Sequence, residues 1–170
     1  MFNNNINMDE LVDIVNEQDE IITQNMKSEA HSNILLHRTV HWVIINSKKE
    51  IFFVKRALNR EKWPWLYDAS IGWHVLAWES YDNAIIREWS EEQGIEWWEY
   101  NHIATYLAEH PKMKHMCAIY IITYDGVLTP DPREFDSGEW MSYEEIMKIP
   151  AEKFTPDWRI TLEKINSYFN

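Results

Sequence analysis

The chain has 170 residues, 45% of them hydrophobic, with 28 Asp and Glu against 16 Lys and Arg for a formal net charge of −12. An acidic surface is repelled by nucleic-acid phosphate and anionic lipid, a single Cys117 allows no intramolecular disulfide framework, and no apolar run approaches the roughly 18 residues of a membrane span. What remains is a modest cytoplasmic protein acting on a small molecule, with an Asn-rich, acidic start unlike a signal peptide.

Residues 1–9 are polar and are expected to form a flexible terminus, with one domain over 10–170. Residues 11–15 and 20–23, on either side of Asn16-Glu17-Gln18-Asp19, read as a hairpin. Residues 39–46 and 50–56 are runs rich in Val, Ile, Phe and Trp, and their apolar content, Val40, Trp42, Val43, Ile44 and Ile45, then Ile51, Phe52, Phe53 and Val54, suits strands buried on both faces. Residues 57–72, around Trp63-Pro64, read as a loop. Ser80 is placed to cap a helix whose apolar side carries Ala84, Ile85 and Trp89. Residues 103–108 and 116–124 read as further strands, the second ending before Asp125-Gly126. Ser142, with Glu145 three positions on, predicts a capping box and a short helix through Met147. Pro156 opens a last helix over 157–168.

The chemistry concentrates between Trp73 and Ile95, WHVLAWESYDNAIIREWSEEQGI. Glu88, Glu91 and Glu92 are spaced by three and four, which stacks them on one helical face. Like charges so close repel, and a hard divalent cation that takes oxygen ligands and shares them with phosphate gives that face a purpose.

This run resembles the Nudix box, G-x5-E-x7-R-E-apolar-x-E-E-x-G-apolar: Glu79, Arg87, Glu88, Glu91, Glu92, Gly94 and Ile95 fall in register, and Trp73 stands at its first glycine. The resemblance implies an α/β fold, the Nudix α/β/α sandwich with a mixed β-sheet. It implies a pyrophosphohydrolase using Mg²⁺ or Mn²⁺ held by Glu88, Glu91 and Glu92, with Glu88 or Glu92 near the attacking water and Arg87 pairing with Glu79 or Glu91. Glu134, six residues before Trp140, is the matching candidate for a base outside the box. Arg56 and Arg60 are candidates for the diphosphate, which guanidinium matches bidentately. The implied partner is a small-molecule diphosphate, nucleoside-type or other, with no nucleic-acid duplex and no membrane involved.

Leu36-His37-Arg38, Val54-Lys55-Arg56-Ala57-Leu58, Lys62-Trp63-Pro64, Asp68-Ala69-Ser70 and Phe154-Thr155-Pro156-Asp157 resemble the branch related to isopentenyl-diphosphate isomerase. The isomerase itself uses a Cys where this chain has Gly72, and an acidic pair where it has Met113 and His115. His31, His37 and His74 sit near that enzyme's histidine positions and form a candidate second metal site, with His41 an alternative member. His102, His110 and His115 have no spacing that argues for a role. Tyr67, Tyr106 and Tyr120 read as either base-stacking or packing residues, and Cys117 as inert core.

The chain departs from the pattern in using Trp where glycine is expected. Ten Trp and four Gly reverse the usual order, in which Gly is about 7% of residues. Trp65, Trp73, Trp78, Trp97 and Trp98 are the positions concerned, a pattern that follows if UGA codons specify glycine in the source. If the tryptophans are native, Trp73 and Trp78 crowd the loop before the helix, and the chain reads instead as a catalytically impaired binding module. Trp42, Trp89 and Trp158 have no assignment from sequence.

Overall fold

The computed structural model describes residues 9–68, 70–93, 99–130, 132–133 and 135–169, and of residues 70, 71 and 90–93 the backbone alone. Strands β1 (Leu11–Val15) and β2 (Ile21–Met26) form the expected hairpin, Leu11 opposite Met26. The six-residue helix α1 (Lys27–Ser32) follows and leads into β3 (His37–Ile45) and β4 (Ile51–Arg56). Every residue of β3 except Arg38 is buried, as a strand covered on both faces requires.

Part of the expected loop over 57–72 is sheet. It carries β5 (Tyr67–Asp68) and most of β6 (Ser70–His74), which runs antiparallel to β3 with Val40 opposite Trp73 and Thr39 opposite His74. Pairing with a distant strand, rather than local propensity, makes this segment extended. Helix α2 (Tyr81–Gln93) starts where expected: Ser80 Oγ accepts from the Asn83 backbone N–H at 3.2 Å. Strands β7 (Glu99–His110) and β8 (Met113–Thr123) are longer than the sequence suggests, and β8 runs parallel to β3. Strand β9 (Phe135–Met141) pairs with β4. Helix α3 (Tyr143–Met147) has the predicted capping box, and α4 (Pro156–Phe169) begins at its proline.

Among the described residues the strands form a nine-stranded mixed sheet, with β3 bonded to antiparallel β6 and parallel β8, between helices. Alternation along the strands sorts the core into two layers. Val40, Trp42, Ile44, Ala118, Tyr120 and Ile122 pack with Ala84, Ile85 and Trp89 of α2. Val43, Ile45, Cys117, Ile119 and Ile121 pack with Trp158, Leu162 and Ile165 of α4. Trp42, Trp89 and Trp158 are each fully buried, so these three indoles are core. Tyr67 stacks on Phe53 with ring centroids 5.0 Å apart, and Tyr106 and Tyr120 pack into the two layers, which assigns all three to packing. Cys117 is buried, and burial pushes its thiol up to about 12. Among the described residues, no helix is long and apolar enough to cross a membrane.

Candidate functional site

Two groups of chemistry-bearing side chains meet at the end of β6. The first anchors the start of α2. Arg87 Nε donates to Glu79 Oε1 at 2.8 Å and Nη2 to Glu79 Oε2 at 2.9 Å, while Nη1 pairs with Glu88. The hydrogen bonds to Glu79, then to Glu88, raise the Arg87 pKa against burial. Glu79 also accepts from the Leu76 backbone N–H at 3.0 Å, so one carboxylate ties the loop before α2 to the helix. Glu88 is buried, and a buried carboxylate needs a counter-charge.

The second group lies on the opposite, α4-facing side of the sheet. Residues 37, 39 and 41 of β3, 72 and 74 of β6, and 115 of β8 share the side-chain parity of the α4 layer, and these strands are neighbours, His37 in register with His115. With His31 delivered by α1, four imidazoles converge. One ring nitrogen from each of His31, His37, His74 and His115 lies within 4.8 Å of the others. His31 Nε2 and His74 Nε2 are 2.8 Å apart, and His37 Nδ1 lies 2.7 Å from the Leu35 carbonyl oxygen.

Burial, reinforced by mutual repulsion, keeps these rings neutral. His31 is held at about 4 by burial and then by His37. His74 is held at about 2 by burial and then by His37 and His31, and His115 at about 3 by burial and then by His37 and His41. Burial also lowers His37, against the hydrogen bond to Leu35. His41, likewise lowered by burial, has an Nδ1 with no partner.

These histidines line a cavity of about 510 Å³ shared with Lys27, Arg56, Arg60, Lys62, Lys112 and Lys114. Six cations against two carboxylates, Asp68 and Asp157, around one cavity in a chain of net charge −12 give it a positive excess where an anionic ligand fits. Arg56 faces Asp68 at 3.8 Å and donates to the Lys62 carbonyl at 3.2 Å. The two groups touch through one residue: His74 contributes its ring to the cluster, and its carbonyl oxygen accepts from Arg87 Nη2 at 3.3 Å.

The structure therefore brings together His31, His37 and His74, sets Arg56, Arg60 and Trp73 around the same cavity, and joins Glu79, just before α2, to Arg87 and Glu88 in its middle. Glu91 and Glu92 lie on α2, with side chains outside the description, and Gly94, Trp97, Trp98 and Glu134 lie outside the described residues. His115 is the residue that sequence reasoning missed. Its parity with Cys117, Ile119 and Ile121 predicts a buried face, but only the pairing of β8 with β3 puts it beside His37.

The tryptophans divide. Trp65 and Trp78 have φ of 64° and 65° and are exposed, in the left-handed region that favours glycine. Glu79 N–H donates to the Leu76 carbonyl at 3.1 Å, which makes Trp78 the third residue of a turn, a position of positive φ that glycine ordinarily fills. Trp73 has no positive φ, whereas Trp63 does, at 53°.

Residues 35–162 match the family model described as NUDIX domain. An uncharacterized Nudix hydrolase of Yersinia pestis is 29% identical over 148 residues, 87% of this chain and 81% of that protein. A Nudix hydrolase of Deinococcus radiodurans is 25% identical over 144 residues, 82% of each. In fold, the crystal structure of the protein DR0079 from Deinococcus radiodurans superposes with a TM-score of 0.74 at 22% identity, covering 91% of this chain and 98% of that one. The NUDIX domain of Shewanella oneidensis NrtR, complexed with ADP ribose, does so with a TM-score of 0.59 at 13% identity, covering 85% and 99%.

Proposed function

Because this chain belongs to the Nudix family, we propose that it is a Mg²⁺- or Mn²⁺-dependent hydrolase that cleaves a diphosphate linkage in an organic diphosphate of nucleoside or related type. The observation that carries the reading is the charge along α2 and the loop that precedes it. Glu79 and Glu88 already share Arg87, and Glu91 and Glu92 follow at helical spacing on the face of Glu88. Carboxylates repeated at that spacing repel one another, and an all-oxygen donor set fits a hard divalent ion.

When bound there, such an ion would polarise phosphate oxygens and acidify an attacking water. The chain's own groups then divide the work. Glu88, Glu91 and Glu92 hold the ion, with Glu88 or Glu92 beside the water. Arg87, fixed by Glu79, positions Glu88. Glu134 is the proposed general base, and Arg56 and Arg60 orient the diphosphate from the cavity wall.

Two observations favour hydrolysis over its alternatives. A Cβ at Gly72 would lie 2.6 Å from His41 Nε2, so a thiol there, as isomerization would need, collides with the imidazole unless His41 moves. Trp78 is 78% exposed, which takes its indole into solvent and weighs against a binding module blocked by that residue. Kinship with the isomerase-like branch belongs to the same proposal and rests on sequence motifs. So does glycine at Trp65 and Trp78 in the natural protein through UGA recoding, a reading the positive φ angles support.

The test is turnover of a panel of nucleoside and prenyl diphosphates with and without Mg²⁺, followed by Glu91→Gln combined with Glu92→Gln. Loss of several kcal/mol of charge stabilisation corresponds to a drop of roughly 100-fold or more, with the thermal melt retained. Unchanged turnover in a folded double variant would refute the metal assignment.

A further inference from the structure

We propose that Thr39, His41 and Asp157 form a hydrogen-bonding subsite in the cavity for a hydroxylated group, such as a sugar, attached to the diphosphate. Through this subsite the cavity selects sugar-bearing diphosphates over prenyl ones. The inference deepens the proposed function and rests on the cavity taking the diphosphate.

All three residues line the cavity, and none is one of its six cations. Thr39 and His41 follow His37 on β3 with the same side-chain parity, so His41 lies about 13 Å along the strand from His37. Asp157 enters from the first turn of α4. The volume of about 510 Å³ is that of a small-molecule site, and a diphosphate leaves part of it for the group it carries.

His41 carries the argument. It is 8% exposed, and its Nδ1 is buried with no hydrogen-bond partner. A Cβ at Gly72 would lie 2.6 Å from Nε2 and 2.7 Å from Cδ2, so the ring fills the space that any side chain at 72 would take. Gly72 itself is exposed, which keeps the approach to the ring open. A neutral imidazole offers one donor and one acceptor, and a hydroxyl answers either. Thr39 is 3% exposed, and its Oγ1 has no partner beyond the weak contact of the Cys117 thiol.

Two simpler explanations fall short. The helix dipole favours a carboxylate in the first turn of α4, which accounts for Asp157 and leaves His41 unexplained. An ion pair between His41 and Asp157 would satisfy both, but none forms between these two described residues. Burial outweighs the pull of that carboxylate and keeps the imidazole neutral. An apolar chain here would cover these polar groups without answering them. Each hydrogen bond so lost costs roughly a factor of ten in affinity, whereas hydroxyls replace them bond for bond.

The test is calorimetric binding of inorganic pyrophosphate, uridine diphosphate glucose and geranyl diphosphate to the full chain in EDTA, where a metal-dependent hydrolase does not turn over. The sugar nucleotide is expected to bind roughly tenfold or more tighter than geranyl diphosphate. His41→Phe, which keeps a ring, and separately Asp157→Ala should each shrink that ratio by about fivefold or more. Should one variant fail to fold, the other and the native ratio decide. Geranyl diphosphate binding as tightly as the sugar nucleotide, or the native ratio retained in a folded variant, would overturn the subsite. Failure of all three probes to bind would take the diphosphate out of the cavity, and the subsite with it. Hydrolysis, read by turnover, stands or falls separately.

Discussion

Arg87 grips Glu79 through two parallel hydrogen bonds of 2.8 and 2.9 Å, across eight residues that include the turn into α2. Glu79 in turn holds the Leu76 N–H, so this pair sets the angle at which the helix leaves β6. Arg87→Ala leaves Glu79 and Glu88 facing each other without their shared cation. Their side chains are 13% and 8% exposed, between the regimes of surface and buried pairs, and a loss of about 2 kcal/mol is expected. Arg87→Lys keeps the charge but not the two-pronged contact and should recover part of it. Urea denaturation of the three proteins reads both effects; equal stability of the Ala and Lys variants would show that geometry contributes nothing.

At the same turn, Trp78 has φ of 65° while its indole is 78% exposed. The left-handed conformation costs a residue with a Cβ roughly 1–2 kcal/mol, and little packing is lost on removing the ring. Trp78→Gly should therefore raise stability by about 1 kcal/mol. Trp65→Gly should gain less, because Lys55 Nζ sits 3.7 Å from the centroid of that ring, a contact of about 0.5–1 kcal/mol. Thermal melts of the two variants give the order. Peptide mass spectrometry of the natural-source protein across residues 63–100 reads directly whether glycine occupies these positions.

The capping box of α3 offers a pH test. Glu145 accepts from Ser142 Oγ at 2.7 Å and from Ser142 N–H at 3.0 Å, and these bonds hold its carboxyl below the ordinary 4.5. A depressed folded value means that stability from the ionised group is present above the unfolded pKa and is lost as pH falls through the folded one. The melting-temperature gap between the native chain and Glu145→Gln should be constant near neutrality and close below about pH 4.5. Ser142→Ala, which removes the cap itself, should cost about 1 kcal/mol at neutral pH. A Glu145→Gln gap that ignores pH would rule out the ionised carboxylate as its source.

These elements also mark how far the sequence can be read. Ser80, Ser142 and Pro156 act on their own helices, through bonds spanning a few residues, and each starts the helix it signals. The apolar stretch from Trp42 to Ile45 in β3 likewise carries its own evidence of burial. Strands β6 and β9 do not: Gly72 and Gly138 interrupt them, and they are extended because they bond β3 and β4. The histidine cluster is illegible for the same reason. His37 and His115 meet only when two strands far apart in the chain align in parallel, and no local pattern encodes that register. The spacing of the α2 carboxylates could be read because a helix's own geometry fixes which of them share a face.

Arg60 gives the sharpest check on whether the cavity takes the diphosphate. It lines the cavity with five other cations, and a charged hydrogen bond to phosphate contributes about 1.5 kcal/mol. On the proposed reading, Arg60→Ala should raise KM roughly tenfold and leave kcat within about twofold, because a residue that binds substrate and transition state alike acts on KM alone. Arg60→Lys should fall between, keeping charge without bidentate geometry. Added NaCl should raise the KM of the native chain more than that of Arg60→Ala, since screening weakens only a contact that is present. A fall in kcat with KM unchanged would move Arg60 from substrate binding to transition-state stabilisation. No change in either constant would take the diphosphate out of this cavity.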